Sequence, residues 1–400
     1  MKLLSPSLTR MNGNDGRAAR RDRQVRLCFP FSGDTIGGSH ISVKGLLDHL
    51  DRGRYRLVVV PEVPGGRIAQ FFAGHEQLHD PGSRGLFVPG ERFNLRKFAR
   101  TLGGLWSRTR FLRRNRIDIV HVNDGQTNAN WAVAARLAGA KLVWHHRGDP
   151  GALGLRLLAP LLANQVLTVS SFSLPPPGPW SARKKAAVVH SPFDATMTVD
   201  REQARETLVR ELGIAPDTLI LGYFGAFIAR KRPLLFIDTI AALKEKLDRP
   251  VIGVMFGESV EPSMNVALQR RIDGNGVAAQ VRLMGYRTPG AYWIAACDQL
   301  AVPAVREPFG RTLVEAMLAG TPIVAARSGG NIEALEGGIG ILADPDDAGA
   351  LAEQCARLAR DPAAASAMAR RAQADARHRF SEAMHGRKVS EVYERLCPAA

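Results

Sequence analysis

Acidic side chains are scarce in this 400-residue sequence: 38 Asp and Glu stand against 54 Lys and Arg, a formal charge of +16 with a pI near 10.3. Such an excess either serves an anionic partner (nucleic acid, an anionic membrane surface or a phosphorylated substrate) or is a solvated surplus of arginine. Cysteine is also scarce. Cys28, Cys297, Cys355 and Cys397 lie far apart with no C-x2-C pair. That excludes a disulfide framework and a four-cysteine zinc site, and fits reduced thiols in a cytoplasmic compartment. Long apolar runs are missing: LRLLAPLLANQVLTV (155–169) is broken by Pro160, Asn164 and Gln165 and falls short of a bilayer span. Ser5, Pro6 and Ser7 interrupt the opening residues, so 1–22 reads as a polar lead-in and not as a secretory signal. GxxxxGK[ST], HExxH and GxSxG are all absent, and DPDD (344–347) reads as a loop and helix cap. No metal and no cofactor are expected.

What is present is a repeated alternation of short apolar runs and helical patterns. The runs in the first half fall at 25–29, 56–60, 117–122, 141–144, 166–170 and 186–190, with helical segments at 39–51 and 128–139. In the second half they fall at 218–224, 250–256, 280–284, 298–302, 322–326 and 339–343, and amphipathic helices close the chain at 347–361 and 381–396. Strands that are apolar throughout and separated by helices imply parallel sheets covered on both faces. Pro192 and the charged segment after it divide the two series. The expected architecture is α/β, with two doubly wound domains over 23–195 and 196–380 facing a cleft, and a terminal helix over 381–400 crossing back to the first. Ligands of such sheets sit at the carboxyl ends of the strands.

The stretch REPFGRTLVEAMLAGTP (306–322) sets Glu307 and Glu315 eight positions apart around a Pro-Phe-Gly turn. Pro308 suits a first helical turn, and Gly310 admits close approach of a ligand to the backbone. Free amides from about Phe309 to Val314, with the helix dipole, would form an anion site. Carboxylates accept paired hydrogen bonds from vicinal hydroxyls, so sugar and ribose rings are suitable guests. The run RKRP in GYFGAFIARKRPLLFIDTIAAL (222–243) lies at the carboxyl end of a strand, which favours phosphate binding by Lys231 and a neighbouring arginine.

The segment 304–345, with the Glu307-PFGRTLV-Glu315 motif, the GTPIVA strand and the SGG-x-x-E turn, resembles the retaining family 4 glycosyltransferases of GT-B fold. The resemblance runs from about 25 to 380 and is stronger in the second half. It implies that Glu307 meets the donor sugar, Glu315 the ribose, and amides near Leu313 and Val314 the distal phosphate. It assigns Lys231 to the phosphates, but the family's arginine position is Ala226 here, leaving Arg230 or Arg232 to supply the guanidinium. In the first half, Gly37 and Gly38 resemble the family's first glycine loop. The strand IDIVHVNDG has Asn123 where many members carry a second histidine, and HSPFD (190–194) stands for N-G-x-D. The tip of KLVWHHRGDP offers His145, His146 and Arg147 as the group facing the donor sugar, with His145 and Arg147 on one strand face and His146 on the other.

The implied activity is transfer of a sugar from a UDP- or GDP-linked donor to a carbohydrate or lipid-linked acceptor, with an epimerase or a scaffold subunit as alternatives. Nucleic-acid binding is not expected, since no aromatic-interleaved basic module appears. The acid-free stretch 92–116, with Phe98, Leu102, Leu105 and Trp106 on one helical side, is a candidate contact with an anionic membrane, which would place the protein at the inner face. Its alternative is a core-facing stripe with solvated arginines.

Overall fold

The computed structural model describes residues 23–83 and 95–398. The lead-in 1–22, residues 92–94 of the basic stretch and the side chain of Phe98 lie outside the described residues. Two parallel sheets carry the chain. The first has the order β3-β2-β1-β4-β5-β6-β7, from β1 (Val25–Phe31), β2 (Tyr55–Pro61), β3 (Glu76–Gln77), β4 (Ile119–Val122), β5 (Lys141–His146), β6 (Gln165–Thr168) and β7 (Ala186–Val188). The second runs β10-β9-β8-β11-β12-β13, from β8 (Leu219–Phe224), β9 (Val251–Phe256), β10 (Val281–Gly285), β11 (Gln299–Val302), β12 (Ile323–Ala326) and β13 (Ile341–Ala343). The fold is therefore α/β with two doubly wound, Rossmann-like domains, as the alternation of apolar runs implies, and it has the GT-B arrangement that the resemblance implies.

The central strands are buried on both faces, which is why they read as unbroken apolar runs; β9, VIGVMF, is buried throughout. Each sheet separates two apolar clusters, with Leu27, Phe29 and Val143 on one face of the first sheet and Val120, Leu142 and Trp144 on the other. In both domains the strand order reverses beside the first strand, between β1 and β4 and between β8 and β11. Loops leaving those strands diverge there and open a crevice. Both crevices face the same interdomain cleft, whose volume is about 970 Å³.

Two chain crossings lie side by side at the back of the cleft. Phe193 donates its N–H to the Phe380 carbonyl (2.9 Å), and Glu382 donates to the Phe193 carbonyl (3.2 Å). Beyond this crossing the helix Glu382–Leu396 starts on a Ser381 cap, whose Oγ accepts from the Met384 amide. It packs against the helix Gly38–His49, and Val389, Val392 and Tyr393 complete the first domain's core.

The basic helix spans Leu95–Arg114, running through Gly103-Gly104. Its faces differ from a single apolar stripe. Leu112 and Arg108 point inward, Arg108 pairing with Asp80 (2.8 Å) and stacking over Trp131, while Leu102 (48 % exposed) and Trp106 (65 %) face solvent. A buried carboxylate turns this part of the helix around Arg108 and leaves the two large apolar groups outside.

Candidate functional site

The second domain's half of the cleft is built where β8 and β11 diverge. The loop after β11 brings Glu307 to the crevice floor, where it is 8 % exposed. This loop is held from behind by glycine. A Cβ on Gly330 would fall 2.6 Å from the Pro308 carbonyl and one on Gly329 2.6 Å from the Glu307 carbonyl. Only bare backbone fits there, and the Gly330 amide uses the closeness to donate to the Glu307 carbonyl (2.7 Å). The SGG turn thus fixes the Glu307 loop in place.

The loop after β8 meets it with cations. Arg230 Nη1 lies 2.5 Å and Lys231 Nζ 2.9 Å from the same oxygen, Glu307 Oε2. Arg232 turns the other way, in the left-handed region (φ 53°), to Asp346 and the Pro345 carbonyl. The guanidinium beside Lys231 therefore comes from Arg230, its neighbour in the loop, and not from the family's arginine position, which is Ala226 here. Gly310 (φ 69°) caps the helix Arg311–Ala319. The Leu313 amide is already bonded to the Gly310 carbonyl (3.0 Å), and the Leu313 and Val314 side chains are fully buried. Helical geometry leaves the amides of Arg311 and Thr312 as the open donors, two positions earlier than the residues the resemblance points to. Phe309 likewise offers its backbone: its ring stacks on His190 (5.5 Å) and packs edge-on to Phe380. Glu315 sits inside that helix, with Arg311 Nε 3.9 Å away. Burial pushes its carboxyl above the usual range, opposed by Arg311 and Lys231.

The first domain's half comes from the ends of β1, β4 and β5. Gly37 caps the helix Gly38–His49 and donates its N–H to His40 Nδ1 (3.1 Å). Gly38 lines the cleft because Arg311 crosses over it; a Cβ there would meet Arg311 Cδ at 2.9 Å. The crossing guanidinium donates to Ser42 Oγ (3.2 Å) and stacks on Phe193 at 4.2 Å. Arg147 donates to Ser191 Oγ and to Asn123 Oδ1, both at 3.2 Å. Asn123, where a second histidine is usual, is thereby the acceptor that orients this arginine.

His145 and His146 both line the cleft but differ in what holds them. His145 is fully buried, its ring stacked on His121 (5.3 Å) and on His385 of the terminal helix (6.0 Å). Its Nδ1 faces both His121 Nε2 (3.2 Å) and Arg147 (3.4 Å), so His145 and Arg147 share a side. Burial, then the Arg147 charge, holds the His145 imidazole neutral well below its ordinary range. His146 points elsewhere, its Nε2 bonded to the Asp149 carbonyl (2.9 Å).

Several groups at this site have partners far away in the sequence, which no local pattern shows. Glu333 of the SGG-x-x-E turn reaches the first domain, pairing with His190 (2.8 Å) and accepting from the Ser171 amide (2.5 Å). Arg306 reaches Asp149 (2.6 Å), and Ser170 Oγ donates to the Pro308 carbonyl. Among the described residues, no group of three or more His, Cys, Asp and Glu is arranged to hold a metal, and no helix is long and apolar enough to cross a membrane.

Comparison with known proteins follows the same division. Residues 204–375, within the second domain, match the family model Glycosyl transferases group 1. The D-inositol 3-phosphate glycosyltransferase of Corynebacterium jeikeium is 32 % identical over 210 residues, covering 50 % of this chain and 49 % of that protein. That of Actinosynnema mirum is 35 % identical over 189 residues, covering 44 % of each. The chain thus spans about half the length of the curated relatives it matches. The fold likeness is longer: Anabaena HepE, solved in complex with UDP and glucose, aligns over 93 % of this chain and all of that one, with a TM-score of 0.76 at 22 % identity.

Proposed function

We propose that the protein is a retaining glycosyltransferase that moves a sugar from a UDP- or GDP-linked donor to an acceptor hydroxyl, as a family 4 enzyme would. The observation that carries this reading is the convergence of Arg230 and Lys231 on Glu307 at the floor of the second domain's crevice, just ahead of the Arg311–Ala319 helix. A carboxylate shared by two cations is poised for exchange. When a donor diphosphate enters, Arg230 and Lys231 turn to its oxygens together with the Arg311 and Thr312 amides, and Glu307 accepts from the sugar hydroxyls. Glu315, about one turn inside the Arg311–Ala319 helix, takes the ribose hydroxyls.

In the transfer step the bond from the sugar's anomeric carbon to the diphosphate oxygen breaks, and a bond to the acceptor oxygen forms on the same face. The acceptor proton passes to the departing phosphate oxygen. Cations and helix amides stabilise the charge gathering on that diphosphate, and no metal is required for this. Glu307 positions the sugar and forms no covalent bond to it. His146, on the wall opposite, is the histidine assigned to the donor sugar, since the His145 ring is sandwiched between two others. Support from relatives lies in the family model over 204–375 and in the named activity of the Corynebacterium and Actinosynnema proteins.

Contact with an anionic membrane through 92–116 belongs to the same proposal, supported by the exposed Leu102 and Trp106 on an acid-free helix. A scaffold role is the rival, motivated by Ala226; the reach of Arg230 to Glu307 weighs against it. Incubation with a panel of UDP- and GDP-sugars tests the reading: slow release of free sugar and nucleoside diphosphate is expected. Absence of nucleotide binding by calorimetry would instead favour the scaffold.

A further inference from the structure

The first domain's side of the cleft combines two features that a small neutral sugar acceptor would not require. One is an arginine with no carboxylate. Among the described residues Arg147 has only neutral partners, Ser191, Asn123 and His145, and its Nε is buried without an acceptor. Arg311 stands near it, resting on Phe193 and bonded to Ser42, with Glu315 no closer than 3.9 Å. Glu307 is occupied by Arg230 and Lys231, and the wall's own carboxylate, Asp124, is engaged in capping the helix Gly125–Ala138. Arg147 and Arg311 are therefore the cations left over for a second anion once the donor diphosphate has its own pair.

The other feature is a leucine-lined lip on the same cleft. Helical turns run over Gly154–Leu158 and Ala159–Leu162. Leu155 and Ala159 anchor them inward, and Gly154 lets the first turn settle on the Trp144 ring, where a Cβ would lie 3.2 Å from Cζ2. With that side fixed, Leu153 (71 % exposed), Leu157 (63 %) and Leu158 (39 %) project outward, and all three line the cleft. Between Ala152 and Leu158 the single polar side chain is Arg156. Sugar hydroxyls would find no acceptor along this lip, whereas a hydrocarbon chain would remove exposed leucine surface from water.

We infer that the acceptor is a lipid bearing a phosphate or diphosphate, its anionic head against Arg147 and Arg311 and its hydrocarbon chain leaving the cleft across Leu153, Leu157 and Leu158. The inference rests on the glycosyltransferase reading for the word acceptor. The charge and the leucines are complementary to such a molecule in either case. A sugar phosphate has the same head chemistry and no tail, so the tail is the distinguishing group.

The test titrates the full chain with octyl phosphate, inorganic phosphate and 1-octanol, each below any micelle concentration, and separately with UDP. Octyl phosphate is expected to bind at least about tenfold more tightly than either half-molecule. The double variant Leu153→Ser/Leu157→Ser, at exposed positions and checked for an unchanged melting temperature, should lose that margin over inorganic phosphate. Arg147→Gln should lose the margin over octanol. Octyl phosphate binding no better than inorganic phosphate, or a margin that persists in the leucine variant, overturns the inference. UDP binding without the octyl phosphate margin leaves the transferase reading standing and removes the lipid. A leucine-dependent margin without UDP binding does the reverse.

Discussion

At the scale of single residues, the proposed donor site turns on one oxygen. Arg230 and Lys231 share Glu307 Oε2, so Glu307→Gln keeps the shape and removes the charge that both cations face. Transfer is expected to fall by about 100-fold or more, while UDP binding is retained or tightened because the cations are released. Lys231→Ala should instead weaken UDP by about 10–100-fold, the loss of one charge-assisted hydrogen bond, read by calorimetry. Glu307 and Glu315 stand out through their motif in 306–322 and Lys231 through the separate RKRP run in 222–243; that Lys231 meets Glu307 is visible only in the fold. Arg311 was not legible as an interdomain residue, since its partner Ser42 is 269 positions away. Nor could the sequence distinguish Arg230 from Arg232; the choice is made by the left-handed turn at Arg232, which sends that side chain to Asp346.

At the scale of elements, the terminal helix Glu382–Leu396 supplies part of the first domain's core and one ring of a buried histidine stack. His121 Nδ1 lies 2.5 Å from Tyr393 Oη, and His385 Nδ1 lies 2.7 Å from the His190 carbonyl. Tyr393→Phe leaves that histidine nitrogen without its partner and should lower stability by about 1–2 kcal/mol in urea unfolding. Burial lowers the His121, His145 and His385 pKa values, the last to about 3, with the Arg147 charge adding to it. The unfolded chain, with histidines near 6.5, therefore binds more protons than the folded one below that pH. Stability should hold above pH 6.5 and fall as pH drops from 6.5 toward 5, with a limiting slope of about 1.4 kcal/mol per pH unit for each histidine. Thermal melts across that window check this, and a flat profile would contradict it. The apolar strands were legible because both faces of each sheet are covered; β3 was not, because two residues carry no period. The turn Gly154–Leu158 was legible only as apolar, and its outward leucines appear once Leu155 is seen to take the inward position.

At the scale of the whole molecule, the charge is unevenly spread. Between Arg92 and Phe193 the only acids are Asp118, Asp124 and Asp149. Sedimentation with vesicles containing anionic lipid should therefore carry the protein down at low salt and release it as ionic strength rises past about 0.15 M, where the screening length is near 8 Å. Neutral vesicles should carry down little. The two domains are tied across the cleft by Arg306–Asp149, Glu333–His190 and Arg311–Ser42, and joined at the back by the paired crossings at Phe193 and Phe380. These contacts surround the cleft in which Glu307 and Arg147 face a common volume. The most direct measurement is release of sugar from UDP- and GDP-sugars by the purified protein beside its Glu307→Gln variant. Hydrolysis of at least one donor by the protein, and its loss in the variant, is the predicted result. Equal turnover in the two, or none with any donor together with no UDP or GDP binding, would contradict the proposed function.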